Sequence, residues 1–401
     1  MKRIPSSSLL KRLIALMAVG CLHLSAPAAA PAEPARAAVT TAAALSAATS
    51  LLAHAPTRYI VVHGARLAYR RFGPATGTPL VLFQHFVGTM DSWDPAVTDG
   101  LARNREVIVF DNAGVAASGG EVPNTVQGMA AYGAGLIEAL ELPQADLLGF
   151  SLGSLVAQQL ALDRPDLVRK VILVGSGPRG GEGMASLTPE FQAMLAKPRA
   201  RPDDLLLDVF FTPSADSQTA GRAFVQRLHW RKEDRDGVIS EQVAPARVAA
   251  FAEWGAPSAR GKEDLRRLTQ PVMVVSGSDD LVHYTVNAYA LQRGLPRAQL
   301  IIYPDSAHGA IYQYPETFVR HAALFLDGRA MSAKAAHAER SATRRGPVRN
   351  SRGDHGSPRW ERKTPRRATS ISGITFSATR KSLFFNIFSC GISRFNPRLS
   401  L

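Results

Sequence analysis

Short unbroken apolar runs alternate along the chain with longer segments whose apolar positions recur at helical spacing. RYIVVHGARLAYRRFG, residues 58–73, predicts two strands about a His63–Gly64 turn, and PLVLFQ (79–84), EVIVFD (106–111) and DLLGF (146–150) predict buried strands. Between the last two, MAAYGAGLIEALEL (129–142) predicts a helix. The helix SLVAQQLALD (154–163) and the strand KVILVG (170–175) come next; far downstream stand the strand PVMVVSG (271–277), a helix around VNAYALQRG (286–294), the strand QLIIYP (299–304) and the helix PETFVRHAALFLDG (315–328). Continuous apolar strands alternating with helices predict an α/β fold whose parallel sheet is covered on both faces. Between about Gly180 and Leu268 the strands stop. SLTPEFQAMLA, PDDLLLDVFF and AGRAFVQRLHW follow one another there, which predicts an all-helical insertion that covers the sheet as a lid.

Composition changes this picture only at the ends. The 401 residues, 46% of them hydrophobic, suffice for a sizeable core. A net charge of +14 would suggest an anionic partner, but residues 331–401 hold 15 Lys and Arg against 3 Asp and Glu. With Lys2, Arg3, Lys11 and Arg12 also set aside, the stretch between is slightly negative, so basicity is no argument that the core binds nucleic acid. A basic start, an apolar run from Leu13 to Ser25 and the small residues Ala26-Pro27-Ala28 predict a signal peptide over 1–28. Export to the periplasm or the medium follows. The apolar run is too short for a stable membrane span. AVGC at 18–21 loosely resembles a lipoprotein processing site at Cys21, with Ala18 where such sites carry Leu. Residues 29–56 read as an Ala/Pro-rich linker, 57–330 as the folded domain with its helical insertion over about 180–268, and 331–401 as a basic disordered tail with one apolar patch, SLFFNIF. Cys21 and Cys390 both lie outside the core, so no disulfide staples it.

Chemistry concentrates at strand ends. Gly149-Phe150-Ser151-Leu152-Gly153 fits G-x-S-x-G at a strand-to-helix turn, a context that exposes a serine nucleophile and aims the Leu152 N–H at an oxyanion. Alone, the same serine could simply cap the helix. A serine needs a base and the base an orienting carboxylate. Asp279 and Asp280 end one apolar strand and His308 follows the next, in the order Ser, Asp, His. The loop QHFVGTMDSWD after PLVLF offers the Phe86 N–H as second oxyanion donor, with His85 and Gly88 shaping it; His85 is the competing candidate for base.

With these residues in view the chain resembles the α/β-hydrolase superfamily, and more narrowly its bacterial haloperoxidase-like branch. The similarity runs through LFQHFVGTMDSWDPAVTDGLA, VIVFDNAGV, LLGFSLGSLVAQ, LVRKVILVGSGPRGG and AQLIIYPDSAHGAIYQYPETFV, over roughly residues 58–328. It implies a mostly parallel eight-stranded sheet with helices on both faces and a helical cap, Ser151 as nucleophile, Asp280 as acid with Asp279 the alternative, His308 as base, and the Phe86 and Leu152 amides as oxyanion donors. Relatives commonly carry Pro where Tyr284 stands and Gly-Arg where Ala116-Ala117 stand, which puts the acid loop and a nearby loop in question.

The expected function is hydrolysis of an ester-like carbonyl of a small molecule through an acyl-enzyme, without cofactor. Cofactor-free perhydrolysis on the same triad is the close alternative, and a non-catalytic hydrolase-fold binding protein the alternative of another class. GSGPRG (175–180) matches G-x-G-x-x-G after a strand, but Pro178 and further glycines follow where a helix should open, so it reads as a hinge into the cap rather than a dinucleotide site. His63, His229, His283 and His321 lack ligand spacing and read as loop, helix-face or core residues, so no metal is expected.

Overall fold

The structure is a computed structural model that describes residues 47–328 apart from Pro202. The expected signal peptide, Cys21, most of the linker, Cys390 and the basic tail lie outside the described residues.

The eight strands are β1 (Arg58–Val62), β2 (Ala65–Phe72), β3 (Leu80–Phe83), β4 (Val107–Phe110), β5 (Ala145–Phe150), β6 (Val168–Val174), β7 (Val272–Gly277) and β8 (Ala298–Tyr303). They form one sheet in the order β1-β2-β4-β3-β5-β6-β7-β8. The β1–β2 and β2–β4 pairs are antiparallel and every later pair is parallel. The first hairpin turns through His63 and Gly64, both at positive φ, 49° and 80°, which fits the right-handed twist of the strands it joins.

Each central strand feeds two cores. In β3, Val81 and Phe83 join one buried cluster while Leu80 and Leu82 join the other; in β4 the alternate sets are Ile108 and Phe110 against Val107 and Val109. Helices α3 (Val126–Ala139) and α4 (Leu152–Asp163) cover the first face through Met129, Ala130 and Leu155; α2 (Pro95–Leu101) and α12 (Pro315–Asp327) cover the second through Val97, Leu101, Phe318 and Leu326. Each such side chain is almost fully buried, the Val, Leu, Met and Phe residues contributing about 1.5–3 kcal/mol each, which explains why these strands read as unbroken apolar runs.

Between β6 and β7 lie only helices among the described residues: α5 (Pro189–Leu195), α6 (Asp203–Phe210), α7 (Ala215–Leu228), α8 (Val243–Gly255) and α9 (Gly261–Arg267). The GSGPRG stretch opens no helix; turns follow Gly175 until α5, as a hinge requires. α8 is absent from the helical candidates read from the pattern. It is rich in alanine, and its buried residues Val243, Ala244, Arg247, Ala250 and Trp254 mix small, charged and aromatic side chains, which blurs the apolar stripe.

The expected linker needs a correction at its end. Residues 51–54 form a short helix, α1, with Leu52 buried; the N–H groups of Leu51 and Leu52 donate to the Asp99 carboxylate at 3.1 and 2.9 Å. Arg231, from the chain after α7, donates to the carbonyls of Ala53 and Ala55 at 3.0 and 2.9 Å. The packed structure therefore begins before residue 57, because a partner more than 170 residues away satisfies the helix end, which no local pattern reveals.

The topology also locates a crevice. From β3 the chain passes to β4 on one side and then to β5 on the other, so the loops after β3 and β5 diverge at a switch point where open α/β sheets bind ligands. Phe83 pairs with Gly149, which brings those two loops side by side.

Candidate active site

Ser151 sits at the turn between β5 and α4 with φ 55° and ψ −122°, a strained backbone for a residue with a side chain, costing about 1–3 kcal/mol. Its N–H donates to Val174 O at 2.9 Å, and its own side chain makes no capping hydrogen bond to α4. The flanking glycines are sterically required. A Cβ on Gly149 would lie 2.3 Å from Gly153 O, and one on Gly153 would lie 2.1 Å from Phe83 O. Behind the turn, Ser154 Oγ bonds Ser151 O at 2.5 Å and Ser176 Oγ at 2.7 Å, while Gln158 Nε2 donates to Ser176 Oγ at 3.1 Å and Gly177 O at 3.2 Å. This buried polar bracket holds the elbow from α4 and β6; no sequence motif marks it.

His308 follows β8 and is buried, with its Nδ1 2.8 Å from Asp280 Oδ2. Since the carboxylate accepts, Nδ1 carries the proton and Nε2 presents its lone pair. Nε2 is buried and makes no hydrogen bond among the described residues, so the contact to Ser151 is not closed. Such contacts commonly tighten only when substrate is bound. Proximity is nevertheless enforced: the ring lies 5.1 Å from that of Phe150, the residue before Ser151, and a Cβ on Gly175 would come within 2.8 Å of His308 Cε1.

Asp280 accepts from the Val282 and His283 N–H groups at 2.9 and 3.0 Å through Oδ1, which aims Oδ2 at His308. Burial alone would raise this carboxyl, but the charge and hydrogen bond of His308 outweigh it and hold the group below its ordinary value. Asp279 is exposed and accepts from its neighbour Ser278. Of the two aspartates, only Asp280 meets the histidine.

On the other wall, the Phe86 and Leu152 N–H groups make no hydrogen bond to protein among the described residues. Phe86 stands in the loop after β3 and Leu152 opens α4 after β5, two chain segments that the Phe83–Gly149 pairing brings together. His85 packs edge-on against Phe150 and Phe210, and burial, with the charges of His308 and Arg247, pushes it down to about 3. Among the described residues no carboxylate orients it, unlike His308.

Two further residues stand at the site: His283, which the sequence offers only as a loop, helix-face or core residue, and Arg247. His283 packs at 5.3 Å from His308 and stacks on Phe251 at 5.2 Å; its Nδ1 donates to Gly175 O at 2.6 Å, leaving Nε2 buried without a partner. Burial lowers it to about 4. Its place three residues after Asp280, whose side chain caps its N–H, was the available signal. Arg247 of α8 lines a small cavity of about 20 Å³ with Gln84, Gly88, Leu152 and Gly153, room for a single water. Nothing in its sequence neighbourhood announces it.

The two departures from the family pattern have local consequences. Tyr284 donates its hydroxyl to Glu190 of α5 at 2.6 Å, so the acid loop is tied to the cap. Ala116 is held at φ 45°, a left-handed conformation that glycine adopts more cheaply. The remaining histidines stay apart: His63 faces Tyr132, His229 approaches Asp203 and His321 bonds Tyr303. Among the described residues no group of three or more His, Cys, Asp or Glu is arranged to hold a metal, and no helix is long and apolar enough to cross a membrane.

Comparison with known proteins agrees with this architecture. The family model for the alpha/beta hydrolase fold matches residues 78–315. The chain is 30% identical over 268 residues to a non-heme chloroperoxidase of Streptomyces lividans, covering 63% of this chain and 93% of that protein. It is 26% identical over 262 residues to a putative carbamate hydrolase of Rhizobium rhizogenes, covering 62% and 93%. Among solved structures, an alpha/beta hydrolase fold protein from Chitinophaga pinensis superposes with a TM-score of 0.64 at 42% identity, covering 69% of this chain and 98% of that one.

Proposed function

We propose that this chain, which belongs to the α/β hydrolase fold family, is a serine hydrolase that cleaves an ester-like carbonyl of a small molecule through an acyl-enzyme. The observation that carries the reading is the Asp280–His308 hydrogen bond of 2.8 Å beside a strained Ser151 that caps nothing.

The roles follow from the atoms. Asp280 fixes the His308 tautomer and stabilises the imidazolium. His308 Nε2 takes the Ser151 proton as Oγ attacks the carbonyl carbon, and the Phe86 and Leu152 amides hold the oxyanion. The imidazolium returns its proton to the leaving group; the neutral imidazole then takes a proton from the water that attacks the acyl-enzyme and passes it to Ser151 Oγ as the acid leaves. Losing one oxyanion donor costs about 2.7–4 kcal/mol in other enzymes, which sets the scale for each amide.

Ser151→Ala is expected to abolish hydrolysis of short p-nitrophenyl esters and labelling by a fluorophosphonate probe in folded protein; undiminished turnover would remove Ser151 from the mechanism. Asp280→Asn is expected to lower kcat by about 10⁴-fold, as loss of the orienting carboxylate does in such triads. Asp279→Asn, at an exposed carboxylate, should stay within about twofold of the parent. Equal effects of the two would mean that neither carboxylate orients the base.

Perhydrolysis on the same residues is the second reading, favoured by the chloroperoxidase name of the Streptomyces relative. Peroxide would replace water at the acyl-enzyme, and the peracid released would oxidise halide. Peroxide-dependent halogenation by purified protein, lost in Ser151→Ala, separates it from simple hydrolysis. The signal peptide, export and absence of a cofactor remain part of the proposal, testable by the mass and location of the mature protein.

A further inference from the structure

Arg247 is a buried cation that the fold does not neutralise. It projects from α8 in the cap and is 5% exposed. Its Nη1 donates to His85 O over 3.4 Å, its Nε is buried with no partner, and no carboxylate among the described residues forms an ion pair with it. Asp111 is the carboxyl whose field reaches it, yet Asp111 spends its oxygens on the Met90 and Ala117 N–H groups at 2.9 and 3.4 Å. Burial and the nearby Asp236 raise Asp111 well above its ordinary value, so it supplies little counter-charge.

A guanidinium in such a place is normally paired, because an uncompensated buried charge is costly. The cavity it lines contains Leu152 and Gly153, the first residues after Ser151, and Gln84 and Gly88 of the loop that carries Phe86. The carbonyl it touches belongs to His85, one residue before the Phe86 amide. The guanidinium therefore sits, from the cap, against the loop and the turn that carry the two oxyanion amides, with Nε left unpaired there.

We propose that Arg247 holds a carboxylate carried by the substrate, so that the preferred acyl substrates are anionic, with the carboxylate seated beside the oxyanion amides. The proposal rests on the acyl-transfer reading for the reaction and on the unpaired guanidinium for the specificity. A planar fork of donors suits a carboxylate better than a neutral oxygen, and hydrogen bonds to a charged group are roughly twice as strong as neutral ones. With the cap as described the cavity holds only about one water, so seating a carboxylate requires α8 to shift outward.

The test compares p-nitrophenyl hydrogen glutarate with p-nitrophenyl valerate, read as the ratio of their kcat/KM values within each protein. The wild type is expected to favour the glutarate ester; in Arg247→Met the ratio should fall at least about tenfold, and Arg247→Lys should recover part of it. An unchanged ratio in Arg247→Met overturns the proposal. A second measurement needs no turnover: free glutarate should raise the Tm of Ser151→Ala in a concentration-dependent way, and the shift should vanish when Arg247→Met is added. Arg247-dependent glutarate binding without Ser151-dependent hydrolysis would sink the acyl-transfer reading and leave the carboxylate site. Hydrolysis without preference or binding would do the reverse.

Discussion

Two buried arginines, one in the sheet and one in the cap, meet opposite fates. Arg70 of β2, whose side chain is fully buried, bonds Asp91 Oδ1 and Asp236 Oδ1, both at 2.6 Å, and donates Nε to Thr57 Oγ1 at 3.0 Å. Asp236 lies in the connection from α7 to α8, so this cluster ties the cap to the sheet. Arg247, in α8, has one long bond and no carboxylate. The contrast teaches that burial alone does not say what an arginine is for. Where the carboxylates arrive with the fold, the guanidinium is an anchor; where they do not, a donor fork is left for something that binds.

The largest effect expected from this contrast is at the anchor. Arg70→Met would leave Asp91 and Asp236 facing each other in a buried site, and removing one partner of a buried ionic cluster typically costs about 3–5 kcal/mol. Arg235 and Arg231, 3.4 and 3.9 Å from Asp91, offset part of this and favour the lower figure. Thermal unfolding should show a fall of about 5 °C for a domain of this size. A fall no greater than that of Arg247→Met would erase the distinction between the two sites.

Acid should act on the other site. Burial and neighbouring charge lower His85, which Arg247 touches, to about 3, and burial lowers His283, beside His308, to about 4. The unfolded chain binds protons at these histidines near pH 6.5, before the folded protein does, so their contribution is intact above that pH and lost as pH falls toward 4. Asp280 acts lower still, its lowered carboxyl contributing above the unfolded value and losing its effect only as pH falls through the folded one. Urea unfolding at pH 7 and pH 5 should show His85→Phe removing up to about 2 kcal/mol of the wild-type loss, since phenylalanine preserves the edge contacts with Phe150 and Phe210. Identical pH dependence in the two proteins would mean that His85 is not held neutral.

The parts of the molecule that local patterning could reveal are those whose physics is local. Two-sided burial writes the central strands as apolar runs, and Gly149 and Gly153 are fixed by atoms within the elbow and the adjacent strand, so the motif and its setting coincide. The order of Ser151, Asp280 and His308 was legible for the same reason: each follows a strand end, and parallel strands place their ends together. Legibility ends where a residue takes its meaning from a distant partner. The choice of Asp280 over Asp279 depends on which carboxylate the turn hides, and α1 depends on Asp99 and Arg231. The Ser154–Ser176–Gln158 bracket joins two elements, and Arg247 is defined by the carboxylates that fail to reach it.

The smallest effect separates the arginines most cleanly. If Arg247 were a structural cation, replacing it by methionine would break interactions and lower stability, as at Arg70. As an unpaired buried charge, it imposes a desolvation cost that only a ligand relieves, and a methionine of similar reach should fill the same space without that cost. Ligand-free Arg247→Met is therefore expected to melt at or slightly above the wild type, by no more than about 1 kcal/mol, while Arg70→Met falls well below it. Binding sites are commonly kept at the expense of stability, so a stabilising change that removes carboxylate preference would identify Arg247 as a residue retained for recognition. A clear loss of stability in Arg247→Met would instead make its single bond to His85 O a structural tie, and both arginines would be held by the same physics.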